Sequence, residues 1–160
     1  MSAERLFKLM EQLLKLHKSL LGIAVKKTDI IKKSDIEPLE LVLKEEQKHI
    51  AAIRKIEEER EKSTSALFPN LDSPTIKDCI EVMDGTEKQR LTEVANNLNN
   101  VLKELKEQNH LNQQLIQQSL HFVNVTLNLF TPQPESINYS PPKGNIKTNV
   151  KIDRFFNSKA

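Results

Sequence analysis

Apolar side chains recur along this chain at spacings of three and four, the signature of amphipathic helices. The longest such stretch is Thr86–Thr131, which contains neither Pro nor Gly over 46 residues. As one α-helix it is about 69 Å long, longer than a small domain is wide, so one end is expected to overhang its neighbours. Leu91, Val94, Leu98, Val101 and Leu105 form a coiled-coil-like seam. Lys106 to Gln114 is then almost wholly polar. From Leu115 to Phe130 the pattern turns apolar on several faces, with Leu115, Ile116, Leu120, Phe122, Val123, Val125, Leu127, Leu129 and Phe130. A helix apolar on several sides near a free end needs a further partner to cover it, either the chain's own tail or another protein.

Three shorter helices precede it. The first starts at the capping residue Ser2 and runs to about Lys33, with Leu6, Leu9, Leu13, Leu16, Leu20 and Ile23 as its stripe. Leu14 and Leu21 widen the stripe enough to meet two neighbours. Gly22 inside it is either the site of a close helix crossing or a weak point worth about 1 kcal/mol against Ala. Ser34-Asp-Ile-Glu37 has the form of a capping box. It opens a second helix over about Asp35–Ala66, with Leu39, Val42, Leu43, Ile50, Ile53 and Ile56 inward. The charged run Glu57–Lys62 reads as the solvated end of that helix. After Phe68-Pro69, Ser73 with Pro74 at the first helical position starts a short third helix ending near Met83, with Ile76, Ile80 and Met83 as its stripe. Asp84-Gly85 breaks the chain, and Asp84 with Glu87 can cap the long helix.

The expected fold is therefore all-α: an antiparallel bundle of three long helices and one short one over residues 1–131, followed by a flexible tail over 132–160. Pro132, Pro134, Pro141 and Pro142 keep the start of the tail from forming a packed helix. Ile146, Thr148, Val150 and Ile152 alternate with polar residues, and Phe155 and Phe156 follow. The tail reads either as a disordered arm or as a segment that orders on a partner.

Composition narrows the function. Three glycines, 4% aromatic residues and 29% charged residues suit a helical domain with an aliphatic core. A net charge of +2 is no footprint for nucleic acid, and bases need aromatic platforms that the body almost lacks. The tail carries five Lys/Arg against two Asp/Glu, while the body is near neutral. A single cysteine, Cys79, excludes an intramolecular disulfide, fits a reducing compartment and reads as a small core residue. The longest apolar run, Leu20–Val25, is far too short for the ~20 residues of a membrane span, and the N-terminus lacks a secretory pattern. The expected location is the cytoplasm, without stable membrane insertion.

No glycine-rich phosphate loop, nucleophile elbow or cysteine cluster is present, so no enzyme is expected and no cofactor is implied. Glu46-Gln-Lys-His49 and Glu107-Gln-Asn-His110 supply half the ligand set of a di-metal bundle, which also needs a Glu from each of two other helices. Helix one offers only Glu4 and Glu11, and Glu107 and His110 do not share the seam, so metal binding is set aside. The Asn/Gln-rich runs Asn96–Asn100 and Gln108–Gln118 read as a solvated face or as a seam weakened by polar groups.

The paired leucines Leu13-Leu14 and Leu20-Leu21, the run Glu57-Glu-Glu-Arg60, the segment Asn112-Gln-Gln-Leu-Ile-Gln-Gln-Ser-Leu-His-Phe-Val123 and Asn138-Tyr139…Gly144 in the proline-rich tail together resemble the FlgN-type flagellar export chaperones. The similarity runs to about Gly144, and the motifs carry it by order and spacing. It implies a bacterial cytoplasmic chaperone of the type III export pathway for flagellum biogenesis. Its partners would be the C-terminal helices of hook–filament junction proteins of the FlgK and FlgL type, kept unpolymerised and brought to the export gate. On the physics of the long helix, Leu115, Leu120, Phe122, Val123, Leu127 and Phe130 are the expected client contacts, in a helix-in-groove mode. Tyr139 is the expected contact to the export machinery, by resemblance alone. The chaperone reading tolerates a weak homodimer that a client displaces. The competing reading is a coiled-coil adaptor that self-associates through the same surface.

Overall fold

The computed structural model describes residues 3–131, and among them all regular structure is helical. The helices are α1 (Ala3–Lys33), α2 (Ile36–Leu67), α3 (Ile76–Val82) and α4 (Gly85–Phe130). Three long helices and one short one match the expected inventory; the tail lies outside the described residues. The capping residue Ser2 lies outside them as well.

The first helix is the organising element, because it packs against both α2 and α4, whereas α3 packs on α4. Its two-sided stripe explains this. Leu6, Leu9, Met10, Leu13, Leu20, Ile23, Ala24 and Ile31 are all buried, and Leu14, Leu16 and Leu21 are half-buried. Directions follow from pairs of contacts. Lys27 of α1 reaches Glu46 of α2 at 2.7 Å, and Leu20 lies with Ile53, so these helices run antiparallel. Arg90 of α4 reaches Glu4 at 3.0 Å, while Asn112 of α4 reaches Ala24 at 2.9 Å, so α1 and α4 run parallel. Successive long helices thus go up, down and up.

Two apolar clusters sit along α1. The larger joins Leu6, Met10 and Leu13 to Cys79 of α3 and to Leu91 and Val94 of α4. The smaller joins Leu20 and Ala24 to Leu105. The α4 seam is buried as expected at Leu91, Val94, Val101 and Leu105, with Leu98 half-buried. Cys79 is fully buried, and burial pushes its thiol pKa up.

Several local expectations are corrected. The capping box at Ser34 does not form: Ser34 takes a left-handed φ of 54°, Asp35 is the N-cap, and its side chain makes no capping bond. A residue in that conformation is part of the turn between α1 and α2, not the start of the next helix. The third helix begins two residues later than Pro74 suggests. Thr75 accepts from the Asp78 N–H, and the Asp78 carboxylate accepts from the Thr75 N–H, a reciprocal capping box that the sequence reading overlooked. Asp84 caps α4 by position only, with no side-chain bond. Leu43 is exposed, because the narrow apolar stripe of α2 centres on Val42. No helix crosses at Gly22: a Cβ built there meets nothing within 4 Å. The run Glu57–Lys62 is only partly solvated, since Arg60 folds back on Glu57 with its side chain 13% exposed.

Candidate partner-binding surface

The functional question turns on where α1 stops covering α4. The last buried residue of α4 is Asn112, at 0% exposure. Its Nδ2 donates to the Ala24 carbonyl at 2.9 Å, and its Oδ1 lies in hydrogen-bond range of the Thr28 hydroxyl. The Thr28 hydroxyl also lies 3.1 Å from the Ala24 carbonyl, and it accepts from Nε2 of Gln108. This small polar layer closes the packed part of the α1–α4 interface. A buried Asn at a seam position fixes register, because any slip strands its amide without partners. It divides the Asn/Gln-rich run: Gln108 and Asn112 lie in the seam, while Gln114, Gln117 and Gln118 face solvent.

Above that layer Leu115 and Ile116 are half-buried, and from 117 to 131 every residue is exposed except the half-buried Thr126. That leaves roughly 21 Å of helix projecting beyond the bundle. The tip also lacks Asp, Glu, Lys and Arg: none occurs from residue 108 to residue 131. Phe122 is 70% exposed and Phe130 82%, and contiguous exposed apolar surface of this kind is a candidate for contact with a partner. Leu120, Val123 and Leu127 are exposed beside them.

At 100° per residue the tip carries two apolar faces. Ile116, Leu120, Val123, Leu127 and Phe130 share one face, within roughly 25° of the seam that Leu91, Val94, Leu98, Val101, Leu105 and Asn112 present to α1. Leu111, Leu115, Phe122, Val125 and Leu129 share a second, turned away by roughly 135°. The six residues expected to bind a client therefore do not form one patch. Leu120, Val123, Leu127 and Phe130 lie together, and Leu115 and Phe122 belong to the other face. Tyr139 lies outside the described residues.

The sequence reading also missed a concavity lower in the bundle. Because α2 and α4 hardly touch, a groove of about 810 Å³ opens between them. Met10, Leu13 and His17 of α1 form its floor and Ile76 and Ile80 of α3 close one end. His17 is buried there, with Nδ1 donating to the Leu13 carbonyl at 2.7 Å. Arg60 also lines it, with Nη1 buried and lacking a hydrogen-bond partner.

The residues once weighed as metal ligands are otherwise engaged. The Glu46 carboxylate accepts from the buried Lys27 ammonium, and His49 Nδ1 donates to the Glu45 carbonyl while Nε2 takes the Ser19 hydroxyl at 2.8 Å. Among the described residues no three of His, Cys, Asp and Glu converge on one point, and no helix is long and apolar enough to cross a membrane.

No solved structure matches the chain. Over 161 aligned residues, covering the whole of both chains, it is 34% identical to a protein of Bacillus subtilis (strain 168) named only as uncharacterized protein YvyG. A family model described as FlgN protein matches residues 1–146. The chain therefore belongs to the FlgN family, a family of flagellar export chaperones and not of enzymes.

Proposed function

We propose that this protein is a cytoplasmic chaperone for hook–filament junction proteins of the FlgK and FlgL type, and that it holds their C-terminal helices against the projecting tip of α4. One observation carries the reading: the apolar seam of α4 continues past the end of its α1 packing, uncharged and uncovered. A client helix laid on Ile116, Leu120, Val123, Leu127 and Phe130 would prolong the α1–α4 interface with a strand of helix from another molecule. Leu115 and Phe122, on the second face, would lie outside that contact. Covering the client's own assembly helix in this way keeps it from polymerising. The tip's lack of charge suits a partner whose inner face is aliphatic, since no buried ion pair is needed.

Family membership supports the choice of client, because FlgN proteins are associated with hook-associated proteins. Delivery to the export gate, with Tyr139 as the contact, extends the same proposal. The test is calorimetric titration of the full chain with a peptide spanning the C-terminal helix of a hook-associated protein. Leu120→Asp with Val123→Asp should weaken binding by at least 100-fold, about 2.7 kcal/mol, while helical circular dichroism is unchanged. Undiminished affinity would show that the client lies elsewhere, for instance in the α2–α4 groove.

A further inference from the structure

The second apolar face of the tip remains after a client helix is placed on the first. A helix covers a stripe of roughly 100° on its neighbour, so a client centred on Leu120 and Val123 leaves Leu111, Phe122, Val125 and Leu129 in water. All four are exposed, Phe122 and Leu129 by 70% and 78%. This face is contiguous exposed apolar surface whether or not a client is bound, the kind of surface that marks a docking site.

We propose that the occupant is the chain's own C-terminal segment, residues 143–160. Length and point of attachment single it out. The segment outside the described residues begins at 132, directly after the tip. Residues 132–142, with four prolines, can span up to roughly 34 Å at about 3.1 Å per residue. The face from Leu129 back to Leu111 is roughly 27 Å long. Residue 143 can thus be returned to any point along it. Beyond that linker the sequence supplies Ile146, Val150, Ile152, Phe155 and Phe156, which is the apolar material such a face requires. Lys147, Lys151 and Arg154 alternate with them, and the tip has no Lys or Arg to oppose them. Tethering through a short linker raises the segment's effective concentration to the order of millimolar. A free peptide or a second copy at micromolar concentration competes poorly against that. Most of these apolar residues lie beyond residue 146, where the family match ends.

The two faces then have separate tasks. The tail shields one and keeps the tip soluble, and the other stays open for a client. The inference does not depend on what the client is, and its test needs none. Methyl-labelled full-length protein is compared with the full-length variant Ile146→Ser, Val150→Ser, Phe155→Ser, Phe156→Ser by nuclear magnetic resonance. The expected result is that methyl shifts move at Leu111, Leu115, Val125 and Leu129 but not at Leu120, Val123 and Leu127. In the unsubstituted chain, ring protons of Phe155 and Phe156 should show Overhauser contacts to Val125 and Leu129, unchanged on tenfold dilution. Unaltered shifts, shifts confined to the Leu120 face, or contacts found only between differently labelled copies would each overturn the proposal. Circular dichroism of the variant reads whether the bundle is intact, and the Overhauser contacts stand independently of any substitution.

Discussion

Asn112 donates from Nδ2 to the backbone carbonyl of Ala24 across the α1–α4 interface at 2.9 Å. Below this pair α4 is a core helix; above it the same helix becomes a projecting tip. The bond therefore marks the boundary between the packed part of α4 and its projecting part. It costs little where it is, because Asn112, Thr28 and Gln108 satisfy one another.

Replacing Asn112 with Ala should destabilise the bundle by about 1–3 kcal/mol, since the Thr28 hydroxyl and the Ala24 carbonyl each lose a buried partner. Urea denaturation should show a lower midpoint with an unchanged slope. A midpoint that stays put would mean that the polar layer does not hold α1 to α4.

Gly22 lies exposed in the middle of α1 with open space where a Cβ would go. Gly22→Ala should stabilise by about 1 kcal/mol, through a gain in helix propensity alone, and raise the thermal midpoint by about 3 °C. A fall in the midpoint would point to a contact at this position in an assembled form.

The capping box of α3 makes a pH prediction. Hydrogen bonds from the Thr75 hydroxyl and the Thr75 N–H hold the Asp78 carboxyl below its ordinary value of 3.8. A folded-state pKa that is depressed contributes stability above the unfolded value, and that contribution is lost as pH falls through the folded one. Wild type should therefore lose stability more steeply than Thr75→Ala as pH drops below about 4. Parallel curves for the two proteins would exclude the effect. At neutral pH Thr75→Ala should cost about 1 kcal/mol.

Cys79 should be unreactive. It is 0% exposed between α3 and the α1–α4 core, and its thiol pKa is raised by burial. Ellman's reagent should label it only as fast as the protein unfolds, so that labelling accelerates with urea. Rapid labelling of the folded protein would mean that α3 opens locally.

The long-range order of the molecule was legible in the sequence because hydrophobic period does not depend on neighbours. The wide stripe of Leu6, Leu13 and Leu20 predicted a helix with two partners, and the unbroken stretch Thr86–Thr131 predicted an overhang. Cap chemistry was less legible. Ser34 and Glu37 have the right spacing, but the turn places Ser34 at positive φ, while Thr75 and Asp78 form the working box two residues past the expected start. Leu43 matched the apolar stripe of α2 by type, yet that stripe is narrower than its residues suggest. The groove behind Met10 and Leu13 was invisible because it arises from α2 and α4 standing apart on α1, a tertiary fact. At the tip the exposure of Leu120, Phe122, Val123, Leu127 and Phe130 was legible, but pooling them hid that Leu120 and Phe122 lie on different faces.

The central claim is that the projecting tip of α4 holds a client helix. Size-exclusion chromatography with light scattering, on the full chain alone and with the C-terminal helical peptide of a hook-associated protein, tests it most directly. The account predicts a stoichiometric 1:1 complex, with any free dimer dissolving as the peptide binds and no complex for Leu120→Asp with Val123→Asp. A tight oligomer that the peptide leaves unmoved would contradict it, and would assign the tip to self-assembly.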